Sequence, residues 1–284
     1  MLDWFPNVDH LPLYVARERG FFREEGLEIR VLAPSETADG LKLAAAGKVD
    51  LAISYTPQVI VSAAEGIPLV VVGRLMQHPL STLLFMGGNG IKSPSDLSGK
   101  RIGYTVPGVM DVLADAFAKL NGLEGVSTVN VGFSIVQSLA SGKVDAVMGG
   151  FRNYEVVEML HQGMKPGTFP LEKWGIPDYD ELVFVTSPGF VKSSPGVIRA
   201  FRKALDRGIR ETLSNPEKAL DLYFRAVPEA PREIERNVLK RTLPFLARTQ
   251  HLDPKRWESF AAFAAKWKLV DRPVDAKRLL WKER

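Results

Sequence analysis

Glu155 is the residue whose type and position point most directly to ligand chemistry. It follows the small-residue segment Gly149-Gly150 and the polar step Arg152-Asn153, where a strand is predicted to end and a helix to begin. A carboxylate only accepts hydrogen bonds, so it suits a ligand edge rich in N–H donors, for example that of an aminopyrimidine. An acidic side chain in the first turn of a helix is also favoured by the helix dipole alone, so both interpretations stay open.

Aromatic rings lie next to several predicted strand ends. Trp4, Tyr55 and Tyr104 are beside three of them, and Phe151 and Tyr154 follow a fourth. Flat rings that converge at one edge of a sheet could clamp a flat heterocycle by stacking, which is worth about 0.5–1.5 kcal/mol per ring pair beyond burial. Large rings also fill protein cores, so each of these residues is equally well explained by packing.

Asp3 and His10 could add polar contacts from the opposite side of such a slot. The carboxylate of Asp3 accepts hydrogen bonds, and a neutral imidazole both donates and accepts. Each residue also has a structural explanation. Asp3 could cap the turn at Pro6–Asp9, and His10 could cap the helix that begins with Leu11-Pro12.

Residue patterns of known catalytic sites are missing from the sequence. Its four histidines share no metal-ligand spacing, there is no cysteine, and no G-x-S-x-G turn occurs. The run Gly87-Gly88-Asn89-Gly90 lacks the Lys-Ser/Thr of a phosphate-binding loop. The residues therefore favour a binding protein that is not an enzyme, and they give no reason to expect a cofactor or a metal.

A duplicated segment positions these candidates. LAAAGKVDLAISY at Leu43–Tyr55 is repeated as LASGKVDAVMGG from Leu139. In each copy a helix is predicted to end at a glycine, Gly47 or Gly142, before a short apolar strand that is typical of buried parallel sheets. Ligands bind beyond the carboxyl ends of such strands, so the sequence predicts a crevice between two repeated units.

The remaining elements follow from hydrophobic periodicity and from turn residues. Strands are predicted at Leu27–Leu32, Leu51–Ile53, Leu69–Val72, Ser81–Met86, Arg101–Tyr104, Val126–Val131, Ala146–Met148 and Leu182–Thr186. Helices are predicted from about Leu11, at Asp39–Ala46, Gln58–Glu65, Met110–Leu120, Ile135–Ala140 and Tyr154–His161, from Pro195, and at Glu217–Phe224, Arg232–Leu246 and Pro254–Trp267.

This element order predicts an α/β fold with two lobes, each a mostly parallel sheet flanked by helices. Residues 1–86 and 187–284 are expected to form the first lobe and residues 87–186 the second, with hinge crossings near Met86 and Thr186. The length of 284 residues is enough for two separate cores. In the last helix, Trp257, Phe260, Ala264 and Trp267 are expected to be core residues.

Composition narrows the class of partner. The net charge is only +4 and the basic residues are mixed with acidic ones, which argues against nucleic-acid binding. No apolar run approaches the ~20 residues needed to cross a bilayer. Residues 1–5 read as the end of a strand whose beginning is missing, so we expect a leader upstream of Met1.

The opening of the chain resembles a known family. Asp3-Trp4-Phe5-Pro6-Asn7-Val8-Asp9-His10 and the segments Gly20-Phe21-Phe22, Ala46–Ala52 and Leu97–Gly103 are similar to the NMT1/THI5-like group of type II periplasmic binding proteins. The likeness covers about Leu2 to Val191. It implies a monomeric solute-binding protein of an ABC importer, with the transporter permease as its partner, in a periplasmic or membrane-anchored extracytoplasmic location.

Within that group, the D-W-x-P-N-x-x-H opening and Asn153-Tyr154-Glu155 most resemble binding proteins for pyrimidine precursors of thiamin. The resemblance implies a ring clamp of Trp4 and tyrosines, with Glu155 at the amino edge of a small pyrimidine. The ligand-binding residues expected on all these grounds are Trp4, His10, Tyr14, Tyr55, Tyr104, Gly108, Tyr154 and Glu155.

Other functions remain open. The wider group also binds riboflavin, taurine and other sulfonates, and nitrate. It further includes a pyrimidine synthase that consumes its own histidine and pyridoxal phosphate and carries a cysteine-rich motif; this chain has His10 at the matching place but no cysteine. A sensor domain that reuses the fold is a third hypothesis.

Overall fold

The computed structural model describes residues 1–282 and contains two β-sheets with helices packed around them. The three-stranded sheet has the order β1 (Ala52–Ser54), β8 (Val183–Thr186), β2 (Val70–Arg74). The five-stranded sheet has the order β5 (Ser127–Asn130), β4 (Arg101–Tyr104), β6 (Ala146–Phe151), β3 (Ser81–Met86), β7 (Pro166–Pro170). The expected α/β class is confirmed.

The helices are α1 (Leu11–Glu18), α2 (Phe21–Glu24), α3 (Asp39–Ala45), α4 (Thr56–Ala64), α5 (Met110–Leu120), α6 (Ile135–Ala140), α7 (Tyr154–His161), α8 (Pro188–Ser193), α9 (Pro195–Ser214), α10 (Pro216–Ala226), α11 (Arg232–Thr242) and α12 (Pro254–Lys266). Several bounds coincide with those predicted from periodicity. Throughout residues 1–282, none of the helices has the length and apolar character needed to span a bilayer.

The duplicated glycines end their helices as predicted. Gly47 after α3 has φ 66° and Gly142 after α6 has φ 68°, both in the left-handed region that favours glycine. The amide of Lys48 then returns to the carbonyl of Leu43 at 2.9 Å, which satisfies one of the last helix carbonyls. In both copies the chain therefore turns out of the helix at the glycine.

The strand directions differ from those expected. Only the pairings of β4 with β5 and β6 are parallel, whereas β8 is antiparallel to both neighbours and β3 is antiparallel to β6 and β7. The reason is that β3 and β8 each arrive from the other sheet. A strand that enters from the opposite direction inserts with reversed polarity.

The chain crosses between the sheets earlier than expected. Ser81–Met86 hydrogen-bonds within the five-stranded sheet and Val183–Thr186 within the three-stranded sheet, so the crossings precede these strands. The amides of Leu75 and Met76 both contact the carbonyl oxygen of Leu182, at 2.7 and 3.2 Å. The division into lobes stays a prediction. The segments that connect the two sheets are residues 75–80 and 176–182, so these are better candidates for the hinges than Met86 and Thr186.

Glu181 joins the two crossings. Its Oε2 accepts hydrogen bonds from the amides of Leu80 and Ser81, at 2.7 and 2.8 Å, and its Oε1 accepts one from Ser81 Oγ at 2.9 Å. Complete burial raises the pKa of this carboxyl group to about 7, although the same hydrogen bonds oppose the shift. The second crossing thus holds the backbone of the first.

One apolar cluster spans both sheets, where two separate cores were expected, and two smaller clusters lie apart from it. The largest hydrophobic cluster contains Val72 and Val185 of the three-stranded sheet together with Ile102 and Met148 of the five-stranded sheet. Apolar residues of the crossings, including Leu80, connect the two parts. Burial across the crossings therefore contributes to the packing of both sheets.

Some local expectations were wrong. Residues 27–32 do not form a regular strand, although the carbonyl of Leu32 accepts the amide of Leu2 at 2.8 Å. The edge strand β7 was not predicted, because its sequence PGTFP has proline at both ends, which is tolerated at sheet edges. Trp257, Phe260 and Ala264 are buried, whereas Trp267 is only partly buried.

Helices α1 and α9 approach closely where α9 has a glycine. A Cβ on Gly208 would collide with the carbonyl oxygen of Pro12 and would lie 2.9 Å from the Cβ of Ala16. Because α1 directly follows the turn that contains His10, this close contact also fixes the N-terminal part of the chain.

We expect Gly208→Ala to destabilise the protein by about 3 kcal/mol, the upper end of the usual cost of overpacking, because backbone atoms cannot move aside easily. Gly196→Ala in the first turn of the same helix is the matched control, since nothing lies within 4 Å of its added Cβ. Urea unfolding monitored by circular dichroism measures both. Equal stabilities of the two variants would contradict the predicted clash.

Candidate functional site

A cavity lies between the two sheets, beyond the carboxyl ends of three strands. Tyr55 follows β1, Thr105 follows β4 and Phe151 ends β6, and all three line it. The empty space between its walls is about 450 Å³, including the mouth. Its place is the one predicted from the duplicated segment.

One wall is a hydrogen-bonded group of Asp3, His10 and Tyr55, all buried. The Asp3 carboxylate lies 2.8 Å from His10 Nε2 through Oδ1 and accepts the Tyr55 hydroxyl at 2.8 Å through Oδ2. The amide of Asn7 points at His10 Nδ1 at 3.4 Å, which assigns the imidazole proton to Nε2 and makes His10 a donor to Asp3.

His10 does not cap α1 as expected, because no side-chain hydrogen bond caps that helix; it takes part in capping the turn before it. Asn7 and His10 form a reciprocal capping box around the 3₁₀ turn Val8–His10, and His10 also lines the cavity. Burial, followed by the Asp3 charge, raises the pKa of the Tyr55 phenol well above its ordinary value. Tyr55 therefore keeps its proton and remains a donor to Asp3.

Glu155 is on the facing wall, in the first turn of α7, with an exposed fraction of 7%. Its Oε2 accepts the amide of Phe151 at 2.7 Å. Burial raises the pKa of Glu155 to about 8, and the hydrogen bonds to backbone amides only partly oppose this shift. At neutral pH the group is therefore mostly a carboxylic acid, which can donate as well as accept.

Aromatic rings complete the cavity. Trp4, Phe151 and Tyr154 line it together with the Tyr55 ring. Trp4 also meets Phe133 edge to face, with the ring centroids 4.4 Å apart. Trp4 comes from the N-terminal segment and Phe133 from the loop after β5, so this contact bridges the two sides of the cavity mouth.

A buried network holds the two walls at a fixed separation. Oδ1 of Asp9 accepts hydrogen bonds from Asn153 Nδ2 at 2.6 Å and from Thr242 Oγ1 at 2.9 Å. Burial raises the pKa of Asp9 to about 6, and the hydrogen bonds from Thr242 and Asn153 oppose the shift. Since Asn153 directly precedes α7, the network connects the N-terminal turn to the start of the helix that carries Glu155.

The carboxyl group of Glu235 also connects the N-terminal turn to α7. Glu235 of α11 accepts the amide of Val8 at 3.0 Å and lies 3.5 Å from the hydroxyl of Tyr154. Burial raises the pKa of Glu235 to about 8. The C-terminal helices therefore participate in positioning the site, which the sequence did not reveal.

Five of the eight expected ligand-binding residues line the cavity: Trp4, His10, Tyr55, Tyr154 and Glu155. Their role in binding stays a prediction. Asp3 and Phe151, which the sequence offered as further candidates, also line the cavity; the wall residues that sequence reasoning missed are Asn7, Asp9, Thr105, Met110, Ile135 and Gly149. Thr105, Met110, Ile135 and Gly149 lie at or near strand ends and helix starts at this edge, whereas Asn7 and Asp9 belong to the N-terminal turn.

Tyr14, Tyr104 and Gly108 do not line the cavity. Tyr14 packs edge to face on Tyr223 at 5.2 Å, because α1 begins only at Leu11 and the preceding turn alters the angular relation of Tyr14 to His10. Tyr104 is partly buried against the core at the end of β4. Gly108 has φ 76°, a left-handed conformation that favours glycine, in the loop before α5.

The charges in the cavity are all of one sign. Its ionisable side chains other than tyrosines and His10 are the carboxyl groups of Asp3, Asp9 and Glu155, and no lysine or arginine is among its wall residues. In residues 1–282 no group of three or more histidine, aspartate or glutamate side chains is arranged to hold a metal ion. This electrostatic environment suits a neutral or cationic ligand with N–H donors.

Comparison with known sequences decides the family. Residues 7–219 match the sequence profile of the family described as NMT1/THI5 like. The chain belongs to the NMT1/THI5 like family. One relative is a Haemophilus influenzae protein with the name putative thiamine biosynthesis protein. It is 38% identical to this chain over an alignment that covers 98% of this chain and 89% of the relative.

Named relatives fall into two functional groups. A formylaminopyrimidine-binding protein of Halalkalibacterium halodurans is 32% identical and spans 98% of this chain and 87% of its own length. More distant relatives are named as synthases; one, a 4-amino-5-hydroxymethyl-2-methylpyrimidine phosphate synthase of Legionella pneumophila, is 26% identical over 97% of this chain and 88% of its own.

Solved structures confirm the fold of this NMT1/THI5 like chain. The alkanesulfonate-binding protein SsuA of Xanthomonas axonopodis pv. citri aligns with a TM-score of 0.77 and 15% identity, over 99% of this chain and 96% of its own. The fold is therefore that of the type II periplasmic binding proteins. At this level of identity the likeness shows the fold and leaves the ligand open.

The raised pKa of Glu155 predicts a pH-dependent stability. The folded chain keeps a proton that the unfolded chain releases between its ordinary pKa of 4.5 and about 8, so the free energy of unfolding falls as pH rises through this window. Glu155→Gln should make that fall shallower by up to ~1 kcal/mol per pH unit.

Urea unfolding at several pH values between 5 and 8 measures this slope. Glu65→Gln, at the exposed end of α4, is the matched control and should keep the wild-type slope. Equal slopes for the wild type and Glu155→Gln would show that Glu155 does not hold the extra proton.

Proposed function

We propose that this chain is an extracytoplasmic solute-binding protein that captures a small aminopyrimidine and delivers it to an ABC importer. The observation that carries the proposal is the buried carboxyl group of Glu155 in an aromatic cavity whose walls have no lysine or arginine. The name of the formylaminopyrimidine-binding relative supports the same ligand class.

The chemistry of a carboxylic acid explains this choice of ligand. An aminopyrimidine presents an amino donor beside a ring-nitrogen acceptor. A protonated carboxyl group presents an acceptor beside a donor, so Glu155 pairs with both positions at once. On the other wall, Asp3 is an acceptor for further N–H groups, and the rings of Trp4 and Tyr154 can stack on the heterocycle.

Anionic ligands fit this cavity poorly. A sulfonate or nitrate needs N–H donors or cations to balance its charge once it is buried. The walls instead contain three carboxyl groups and no lysine or arginine. Although this chain shares its fold with a sulfonate-binding protein, we therefore do not expect it to bind a sulfonate.

The cavity also does not fit a synthase that uses pyridoxal phosphate. That cofactor requires a lysine amine for its aldehyde and donors for its phosphate, and neither a lysine nor an arginine is among the wall residues. The chain contains no cysteine either, whereas the synthase resemblance includes a cysteine-rich motif. We therefore propose a binding protein that is not an enzyme.

Capture would follow from closure about the two crossings. The walls belong to different sheets, so a ligand that contacts both stabilises the closed arrangement by its differential affinity. A closed outline is what a transporter permease would recognise. In this closure the two lobes would move about hinges at residues 75–80 and 176–182.

A thermal-shift screen over aminopyrimidines, riboflavin, taurine and nitrate tests the ligand class. We expect only aminopyrimidines to raise the melting temperature, by an amount that grows with concentration, because a ligand of the folded state stabilises it by mass action. A shift with taurine or nitrate and none with aminopyrimidines would overturn the proposal.

Calorimetry on Glu155 variants tests the pairing. Glu155→Leu removes both donor and acceptor and should weaken aminopyrimidine binding about tenfold to a hundredfold. Glu155→Gln keeps a donor–acceptor pair and should lose less. Wild-type affinity should fall as pH rises above about 8, where the acid ionises, while the affinity of Glu155→Gln stays constant. A pH-independent wild type would contradict the pairing.

An absorbance titration tests the enzyme alternative. Purified protein mixed with pyridoxal phosphate should develop no visible band of a lysine-bound cofactor, since the cavity offers no lysine. A stoichiometric band would favour the synthase.

A further inference from the structure

A second chamber adjoins the proposed ligand cavity. It contains about 730 Å³ of empty space including its mouth, and Trp4, Ile135, Tyr154 and Glu155 line both spaces. These four side chains therefore lie where the two chambers adjoin. A substituent on a ligand held in the inner cavity would pass between them into the outer chamber.

Most polar groups of the outer chamber lie along one face of α7 and its C-terminal end, and Gln137 of α6 is a further one. Glu155 and Glu158 are three residues apart and Gln162 follows four later, a spacing that places all three on the same side of a helix. Gln162 Nε2 donates to Glu158 Oε1 at 3.2 Å. No lysine, arginine or histidine is among the residues that line the chamber.

Three aromatic rings in mutual contact form the rim. Trp4, Phe5 and Phe133 have centroid separations of 4.4–5.5 Å. Phe5 is 45% exposed, which is unusual for a phenylalanine and is not explained by core packing. Aromatic faces beside carboxylates are the combination that recognises an ammonium group, through cation–π attraction and charge.

We propose that the outer chamber is a second subsite, which takes a positively charged amine on a short arm of the ligand. The assignment rests on the proposed function, because the arm must project from a ring held against Glu155. Glu158 is then the specificity-determining residue for the amine, and the rim of Trp4, Phe5 and Phe133 encloses it. Neutral arms would lose the attraction to both.

Calorimetry with three 4-aminopyrimidines tests the subsite. They share the ring and carry a methyl, a formamidomethyl or an aminomethyl arm. For the wild type we expect the aminomethyl ligand to bind about tenfold more tightly than the methyl ligand. Glu158→Gln should abolish this preference and leave the affinity for the methyl ligand unchanged, which also shows that the variant is folded.

Glu65→Gln is the matched control and should keep the full preference. The subsite is overturned if the wild type binds the formamidomethyl or methyl ligand as tightly as the aminomethyl ligand, or if Glu158→Gln keeps the preference. Absence of binding by all three ligands would instead contradict the proposed function, and the subsite with it.

Discussion

The hydrogen bonds of one buried carboxyl group, that of Asp9, hold together the segments on which the site depends. Asp9 lies in the N-terminal turn, and its donors Asn153 and Thr242 come from the start of α7 and the end of α11. Because the N-terminal segment carries Trp4 and the His10 wall while α7 carries Glu155, the width of the cavity follows from this junction. Three distant parts of the chain therefore have to fold before the cavity exists.

Local signals predicted the helices and the apolar strands well. Met110–Leu120 and Tyr154–His161 have the predicted bounds because periodic apolar positions and end residues specify a helix without reference to the rest of the chain. Strand directions and sheet membership were predicted less well. The position of β8 between β1 and β2 depends on where the chain crosses between sheets, and no short segment of sequence records that.

The sequence predicted those residues of the site that come just after the end of a strand. Tyr55 and Glu155 were identified because each comes just after a short apolar strand, where α/β sheets bind ligands. Tyr14 was misplaced because the 3₁₀ turn before α1 breaks the helical angle that sequence spacing assumes. The contribution of Thr242 depends on tertiary packing of the C-terminal helices, about 230 residues from Asp9, and leaves no local trace.

The carboxyl group of Glu181 also determines what kind of motion the molecule allows. It belongs to one connecting segment and accepts three hydrogen bonds from Leu80 and Ser81 of the other. Sliding one segment along its neighbour would break all three, whereas bending both about their common contact would preserve them. In the proposed closure, the paired segments would therefore act as a single pivot, with the axis of rotation held in place by Glu181.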